Sequence, residues 1–404
     1  MSRAVVTGIG VVAPSGLSTE EHWRSTLAGD LHVSCHDGML VGQVPGFAGE
    51  DHVDPRLIIQ TDRWTWMSLA ATRMALEDAK YDPAAHDPYL TGVVLASGSG
   101  GNEFGQREIQ ALWSRGRTAV TAYQSIAWFY AASAGQTSIL HGTKGPSSVL
   151  VSEGAGGLDS LGAARRTIRR GTPAVIAGGT EAPLSPYALV CQSTSGLLST
   201  SLDPRAGYKP FDADANGWVP AEGGAVLVVE DAEAAAERGV QQVYGEIAGY
   251  AATHDAYHPE DPPPDCRHLV RAMRKALADA AVTPDEVGFV VADGAGTPAL
   301  DALEAHAIRE VFGRPVPVTA PQGFVGRLCS GGAALTVATA LLALRDGIVP
   351  AVGNLSRPGH DLDLVREPRR IDTDLALVNA RGFGGFNSSV VLRRAREEGV
   401  HHGR

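Results

Sequence analysis

Hydrophobic and polar positions divide the chain into two alternating kinds of segment. Short runs of β-branched and other apolar residues, such as AVVTGIGVV at residues 4–12 and GVVLASGSGG at 92–101, predict buried strands that end in glycine turns. Longer runs, such as TWMSLAATRMALEDAK at 65–80 and RHLVRAMRKALADAA at 267–281, place apolar residues at helical spacing. Strands that alternate with helices in this way are typical of an α/β fold.

This pattern occurs twice along the chain. RMALEDA (73–79) and RKALADA (274–280) are each followed four residues later by proline, and then by a strand and a glycine turn. Residues 152–179 and 327–354 share a second pattern. In each, a turn of small residues is followed by a helix that ends at a glycine, and then by a strand. Two matches in the same order predict a duplicated α/β unit. We expect one half over residues 1–240 and the other over 241–404.

Composition and cysteine spacing exclude several classes of protein. The chain has 404 residues and a net charge of -11, which fits two core units and argues against a nucleic-acid scaffold. Its four cysteines, at 35, 191, 266 and 329, form no CxxC or Cys/His ligand spacing, so we expect neither a disulfide framework nor a metal site. Reduced thiols suit the cytoplasm, and the longest apolar run, 333–344, is too short to span a bilayer.

The segment VSEGAGGLDSL (151–161) has the outline of a catalytic turn. A strand leads into a corner of small residues and a helix leads out, which aims backbone N–H groups and a helix N-terminus at one point. The corner holds Gly154, and a residue without a side chain cannot form a covalent intermediate. For the adjacent Glu153 we favour a structural, hydrogen-bonding carboxylate over a chemical role.

The matching turns of the second copy are expected to face the same centre. ADGAGTP offers Asp293, and QGFVGRLCSGG offers Arg327 and Cys329, but neither turn offers a histidine. Arginine stays protonated at neutral pH, so Asp293 and Arg327 are predicted to form an ion pair and not an acid–base pair. Cys329 is interpreted as a small buried thiol in preference to a relocated nucleophile, because no histidine lies near it in sequence.

Five segments carry a resemblance to a known family: VVTGIGVVAPSG (5–16), IAGGTEAPLSPY (176–187), KPFDADANGWVPAEGGAVLVVED (209–231), ADGAGTP (292–298) and GFGGFN (382–387). They resemble the β-ketoacyl synthase family of the thiolase superfamily. The resemblance implies a thiolase-like fold with a layered α-β-α-β-α arrangement. Condensing members carry Cys in the first turn and His in both later turns. Those positions are Gly154, Asp293 and Arg327 here, and the family's Lys before the last motif is Gln322, so the resemblance implies that the usual catalytic side chains are absent.

Three further segments (123–139, 152–171 and 326–347) resemble the chain length factors, or ketosynthase beta subunits, of type II polyketide synthases. This resemblance implies a non-condensing subunit of an acyltransferase complex in aromatic-type or related polyketide biosynthesis, antibiotics and pigments included. A ketosynthase alpha subunit would supply Cys and both His, and an acyl carrier protein would bring the phosphopantetheine, so no cofactor is implied for this chain. The usual form has Gln at position 154, and glycine there weakens any assignment of malonyl decarboxylation to this turn.

The resemblance implies a tunnel at the heterodimer interface that sets polyketide length, and its candidate residues lie in an insertion of the first copy, roughly 101–144. Near one helical face lie Phe104, Gln106, Ile109, Leu112 and Trp113, and a following segment adds Trp128, Phe129 and Tyr130. Ile109, Leu112 and Phe129 are the group that we expect to limit tunnel depth. The alternative is that these residues belong to a hydrophobic core or a plain dimer interface.

A basic run offers a candidate docking surface for an acidic carrier protein. It consists of Arg165, Arg166, Arg169 and Arg170. Positive charge at a helix C-terminus and a solvated helix face give an alternative explanation. Two other functions also stay open. One is a decarboxylase or acyltransferase that uses Glu153 or Asp293, and the other is a carrier-protein scaffold without a tunnel.

Overall fold

A computed structural model describes residues 2–395 of the chain and shows an α/β fold. The strands in this range are β1 Ala4–Val12, β2 Ser34–His36, β3 Met39–Val41, β4 Thr91–Ala96, β5 Ser147–Leu150, β6 Ala174–Glu181, β7 Gly223–Asp231, β8 Gly245–His254, β9 Phe289–Val291, β10 Pro317–Thr319, β11 Ile348–Val349, β12 Asp363–Leu364, β13 Arg369–Arg370, β14 Leu375–Gly382 and β15 Phe386–Arg394. The α-helices are α1 Thr19–Ala28, α2 Pro55–Gln60, α3 Arg63–Ala79, α4 Asn102–Arg115, α5 Gln124–Ala127, α6 Ala132–His141, α7 Gly156–Arg169, α8 Pro186–Ser193, α9 Pro204–Gly207, α10 Ala232–Glu237, α11 Arg267–Asp279, α12 Pro298–Phe312 and α13 Cys329–Asp346.

The strand order of the main sheet repeats on either side of a centre. Within residues 2–395, eleven strands run in the order β12-β10-β9-β14-β15-β8-β1-β7-β6-β4-β5. Read outward from the centre, β1-β7-β6-β4-β5 of the first half correspond to β8-β15-β14-β9-β10 of the second. The two halves join where β1 and β8 pair antiparallel over two residue pairs, Val5 with Glu246 and Val6 with Gly245. This repeated order confirms the predicted duplication of the α/β unit.

Helices form three layers around the two halves of the sheet. α3 packs on β1 and β7, α11 packs on β8 and β15, and α7 and α13 contact each other between the halves. Separate clusters of buried apolar side chains fill the spaces between these layers. The arrangement confirms the predicted thiolase-like α-β-α-β-α fold.

The central helix α13 is apolar on all sides, which is the pattern of a helix buried in the core of a large protein. Its residues 333–335 and 337–344 are all buried. In the part of the chain that the structure describes, no helix has the length and apolar content that crossing a membrane requires.

Two glycines of the first strand permit close packing of α3. A Cβ on Gly10 would lie 1.9 Å from the carbonyl oxygen of Ala71, and a Cβ on Gly8 would lie 2.2 Å from that of Ala75. Because both contacts involve backbone atoms, no side-chain rotation could relieve them. The glycines that interrupt the apolar run at the N-terminus therefore let the helix lie directly on the sheet.

One part of the sequence match between the two copies is wrong. In the first half, α7 leads directly into the main-sheet strand β6. In the second half, α13 leads into β11, which pairs with β13 in a separate two-stranded sheet, and the strand equivalent to β6 is β14, which begins at Leu375. Pro350 follows β11 and has no N–H for a ladder hydrogen bond, so the apolar run at 348–352 does not continue as a strand.

Candidate functional site

Two strained turns, one from each half, meet at the centre of the molecule. Glu153 precedes α7 and Cys329 begins α13, and both have a φ of 46°. This left-handed conformation is uncommon for residues other than glycine. Each residue stands eighteen positions before the glycine that follows its helix, Gly171 or Gly347. Ser330 Oγ donates a hydrogen bond of 2.7 Å to the carbonyl oxygen of Glu153, which joins the two turns.

Gly154 lies buried at the bend of the first turn, and the packing around it requires a residue without a side chain. A Cβ at this position would lie 2.4 Å from the carbonyl oxygen of Arg381 and 3.0 Å from Nη2 of Arg327. The first of these atoms belongs to the backbone and cannot rotate away. The space that a nucleophilic side chain would need at this turn is therefore filled.

Asp293 and Arg327 form the ion pair that the sequence predicts. Arg327 donates through Nη1 to Asp293 Oδ2 at 3.1 Å and through Nη2 to Oδ1 at 3.2 Å. The side chains are only 13% and 8% exposed for Arg327 and Asp293 respectively. Although burial lowers it, the carboxylate of Asp293 raises the pKa of Arg327 well above its usual range. A guanidinium held in this way cannot act as a base.

Further contacts fix the arginine of this pair. Nη2 of Arg327 also donates to the carbonyl oxygen of Arg381 at 2.6 Å, and the backbone N–H of Arg381 donates to Asp293 Oδ1 at 2.9 Å. The guanidinium carbon lies 5.3 Å from the centroid of the Trp218 ring. The positions of Asp293, Arg327 and Arg381 thus depend on one another, and the ion pair closes the space beside Gly154.

Two side chains, those of Glu304 and Gln322, hold the loop that carries Asp293. Glu304 accepts hydrogen bonds from the backbone N–H groups of Asp293 and Gly294, each at 2.9 Å. Burial, together with the negative charge of Asp293, raises the pKa of Glu304 to about 7. Gln322 donates through Nε2 to the carbonyl oxygens of Ala292, at 2.8 Å, and Asp293. Gln322, which stands at the position of the family's lysine, therefore holds the Asp293 loop through two hydrogen bonds.

The raised pKa of Glu304 predicts a pH-dependent contribution to stability. Its folded-state pKa of about 7 exceeds the unfolded value of about 4.3, so the unfolded chain releases this proton first as the pH rises. The contribution to the free energy of unfolding is therefore fully present below about pH 4 and is lost as the pH rises to about 7. Relative to Glu304→Gln, the melting temperature of the wild type should fall across this window, in thermal scans at a series of pH values. Parallel curves for the two proteins would contradict this assignment, and Glu103→Gln, at an exposed site, serves as the control.

Neither Cys329 nor Glu153 has the surroundings of a reactive group. Burial, with the carboxylates of Glu153 and Glu181, raises the pKa of the Cys329 thiol well above its usual range, which disfavours the thiolate that a nucleophile requires. The carboxylate of Glu153 accepts a hydrogen bond of 2.7 Å from the backbone N–H of Phe383. Glu153 thus makes the structural hydrogen bond that its sequence position suggests.

A cavity of about 380 Å³ opens in front of the ion pair. Its wall contains Glu153, Asp293, Arg327 and Arg381, together with the proline-rich segment 258–263 and the glycine-rich segment 382–385. A second space of about 30 Å³ remains next to Gly154 and Cys329. The site therefore keeps an entrance, but almost no volume beyond the ion pair.

Comparison with protein families covers most of the chain. Residues 1–235 match the N-terminal domain of beta-ketoacyl synthases, and residues 244–356 match the C-terminal domain. The chain belongs to the β-ketoacyl synthase family. Both halves of the chain therefore match domains of one family.

Individual relatives indicate which kind of β-ketoacyl synthase the chain is. The tetracenomycin polyketide synthase ketoacyl synthase beta subunit of Streptomyces glaucescens is 51% identical over 407 residues, which cover 96% of this chain and 98% of the relative. The actinorhodin polyketide putative beta-ketoacyl synthase 2 of Streptomyces coelicolor is 50% identical over 402 residues, with the same coverage of 96% and 98%. Within its family, the chain is a ketosynthase beta subunit of the type II polyketide synthase kind.

Solved structures show the same fold. The AntDE:AntF complex, described as a type II polyketide synthase acyl-carrier protein with its ketosynthase bound to the hexaketide, contains a chain that matches with a TM-score of 0.89 and 28% identity, covering 98% of this chain and 100% of that one. The ishigamide ketosynthase/chain length factor matches with a TM-score of 0.90 over 98% of this chain and 100% of that one. Its identity of 24% makes this second match evidence for the fold alone.

Six of the eight predicted tunnel residues of this ketosynthase beta subunit lie on its surface. We call them the apolar group: Ile109, Leu112, Trp113, Trp128, Phe129 and Tyr130. Their exposed fractions range from 38% to 84%. None of the six lines the cavity of about 380 Å³ or the space of about 30 Å³ beside the ion pair. A tunnel that they border would therefore not be formed by either of these two spaces.

The two other tunnel candidates, Phe104 and Gln106, also lie on α4. Phe104 is buried in the subunit, and it lies about 140° around the helix from Ile109. Phe104 is therefore wrong as a tunnel candidate, because the inner side of α4 packs against the rest of the chain. Gln106 accepts a hydrogen bond of 2.8 Å from the backbone N–H of Tyr187. Gln106 is not on that side and lies in the wall of a separate cavity of about 370 Å³, so its role stays a prediction.

The predicted docking run is only partly available to a partner. Arg165 is 4% exposed and donates to Asp279 and to the carbonyl oxygen of Ala248, so this residue is wrong as a docking candidate. Its side chain lies on the inner face of α7, where a charge needs an internal partner. Arg166, Arg169 and Arg170 are exposed, although Arg169 Nη1 also lies 3.5 Å from Asp279 Oδ1.

Proposed function

We propose that this chain is the non-condensing chain length factor of a heterodimeric type II ketosynthase that makes aromatic-type or related polyketides in the cytoplasm. One observation carries this proposal. The place where condensing members of the family have a cysteine is Gly154, and the carbonyl oxygen of Arg381 fills the adjacent space. A condensation needs a nucleophile to hold the growing acyl chain, and this turn offers neither the atom nor the room for one.

The remaining functions are assigned to the partners. The ketosynthase alpha subunit supplies Cys and two His, and the acyl carrier protein delivers malonyl units on its phosphopantetheine. One relative at 51% identity is named as the beta subunit of a polyketide synthase ketoacyl synthase, which supports an alpha-subunit partner. One matching structure is described as a ketosynthase in complex with its acyl-carrier protein, which supports the second partner. The exposed Arg166, Arg169 and Arg170 are the remaining candidates for carrier-protein docking.

The surface features of the first half support a contact with another subunit. Strand β5 is at one edge of the main sheet, where its only sheet partner among the described strands is β4. An open strand edge favours pairing with another chain. The exposed apolar side chains Ile139, Leu140 and Val151 lie on α6 and just after β5, in addition to the apolar group itself. We assign this surface to the ketosynthase alpha subunit, so that the tunnel forms between the two chains.

Removing bulk from the apolar group should change the length of the product. In the complex with the alpha subunit, the triple variant Ile109→Ala, Leu112→Ala, Phe129→Ala is expected to make longer polyketides, because smaller side chains no longer stop extension by excluding the growing chain. Mass spectrometry of the products measures the change. Leu202→Ala, at an exposed leucine outside the group, is the matched control and should leave product length as it is.

An unchanged product length in the triple variant would reject the tunnel role and favour a plain dimer interface or a carrier-protein scaffold. Decarboxylation or acyl transfer by this chain alone is disfavoured by the contacts of its two candidate residues. The Glu153 carboxylate is hydrogen-bonded to the backbone of Phe383, and the Asp293 carboxylate is occupied by Arg327 and by the N–H of Arg381.

A further inference from the structure

A groove between α11 and α12 brings together three side chains that the site described above does not use. The groove has a volume of about 690 Å³ and contains Cys266, His306 and Glu310 in its wall. Cys266 is the residue that caps the N-terminus of α11, while His306 and Glu310 stand four residues apart on α12 and so share one face of that helix. One ligand atom from each of the three lies within 4.8 Å of the other two.

We propose that Cys266, His306 and Glu310 form a binding site for a divalent metal ion, with Zn²⁺ as the ion that their donor atoms suit best. Thiolate sulfur, imidazole nitrogen and carboxylate oxygen are the three donor types that proteins use for zinc. Three protein ligands and one water make a complete tetrahedral shell. The open groove leaves room for the water.

The distances agree with such a site after small side-chain movements. Zinc bonds of about 2.0–2.3 Å at tetrahedral angles place the ligand atoms roughly 3.5 Å apart, so separations of up to 4.8 Å need to close by about 1 Å. The side chains of His306 and Glu310 are both exposed enough to rotate by this amount. Cys266 is buried and supplies the fixed point of the site.

Charge around the groove sets the conditions for binding. The thiolate and the carboxylate together neutralise a divalent ion, and the proton of the thiol leaves to the solvent when the ion binds. Arg274 Nη2 lies 3.2 Å from Glu310 Oε1 and competes with the ion for this carboxylate.

A metal at this position would connect two elements that border the cavity in front of the ion pair. It would fix the start of α11 to α12. Segment 258–263, which lines that cavity, lies just before Cys266, and the first residues of α12 line the same cavity. Spacing along the sequence predicts no metal site because Cys266 and His306 lie far apart in the chain. The packing of α11 on α12 brings them together. This inference does not depend on the proposed function.

Cobalt(II) provides a direct test, because its bond to a thiolate gives a charge-transfer absorption that bonds to nitrogen and oxygen do not. The full chain, purified with its alpha subunit and stripped with a chelator, is titrated with Co²⁺ and then with competing Zn²⁺. We expect saturable binding of a single ion with thiolate ligation. Cys266→Ser should abolish the charge-transfer band, and His306→Gln should lower the affinity by at least about tenfold. Arg274→Gln, which removes the competing cation, should raise the affinity.

Cys191→Ser is the matched control, since Cys191 is an exposed free cysteine on α8 and should leave the titration as it is. A charge-transfer band that persists in Cys266→Ser would overturn the proposal, as would the lack of saturable binding in the wild type. His306→Gln changes an exposed residue, so its result stays informative if Cys266→Ser does not fold.

Discussion

Arg327→Ala should lower the free energy of unfolding by about 3–5 kcal/mol, the usual cost of leaving one partner of a buried ion pair alone. The variant leaves the Asp293 carboxylate, which is 8% exposed, without its cationic partner. It also removes the guanidinium group that donates a hydrogen bond to the carbonyl oxygen of Arg381. Denaturant unfolding of the complex at fixed protein concentration, followed by a signal from this chain, measures the loss.

Two comparisons make this first prediction specific. The double variant Asp293→Ala, Arg327→Ala should cost less than the sum of the single variants, because it leaves no unpaired charge. Arg345→Ala removes an arginine whose carboxylate partners, Glu20 and Asp346, are more exposed, and it should cost at most about 1 kcal/mol. Equal losses for Arg327→Ala and Arg345→Ala would show that the Asp293–Arg327 pair does not hold the site.

Phe129→Asp should prevent the chain from binding its ketosynthase alpha subunit. Phe129 belongs to the apolar group and its ring is partly exposed. The centroid of this ring lies 4.9 Å from the centroid of the Tyr130 ring. Placing an unpaired carboxylate in a desolvated interface costs several kcal/mol. The affinity should therefore fall by a factor of about 100 or more, as measured by co-purification and analytical ultracentrifugation.

The matched control for this second prediction is Tyr89→Asp, at an exposed aromatic residue outside the apolar group. It should leave the complex intact. If Phe129→Asp forms the heterodimer as well as Tyr89→Asp does, the apolar group faces solvent in the assembly, and the partner binds at another surface.

The sequence predicts the duplicated fold and the contents of the three turns well, because both depend on local patterns. Glycine corners and helix starts repeat in the two copies, and the chemistry of Gly154, Asp293 and Arg327 follows from their side chains. The contacts that fill the site, in contrast, do not depend on local sequence patterns. The carbonyl oxygen of Arg381 and the ring of Trp218 reach Arg327 from distant segments, and no local pattern indicates these contacts.

The errors of the sequence interpretation also have a physical cause. Phe104 and Ile109 are five residues apart, which is about 140° around a helix, so they belong to different faces of α4, and the structure accordingly buries Phe104 and exposes Ile109. A run of arginines likewise looks uniform in sequence, although Arg165 lies on the inner face of α7 and pairs with Asp279. In both cases the result depends on which tertiary surface covers the helix.

The most direct test of the central claim, that this chain shapes a ketosynthase without performing the condensation, is to supply malonyl-acyl carrier protein to three preparations and analyse the products by mass spectrometry. The preparations are the chain alone, the chain with its alpha subunit, and the same complex with the alpha-subunit cysteine replaced by alanine. We expect polyketide only from the intact complex, and neither acyl-enzyme nor decarboxylated carrier protein from the chain alone. Either of those products from the chain alone, or polyketide from the cysteine variant, would contradict the claim.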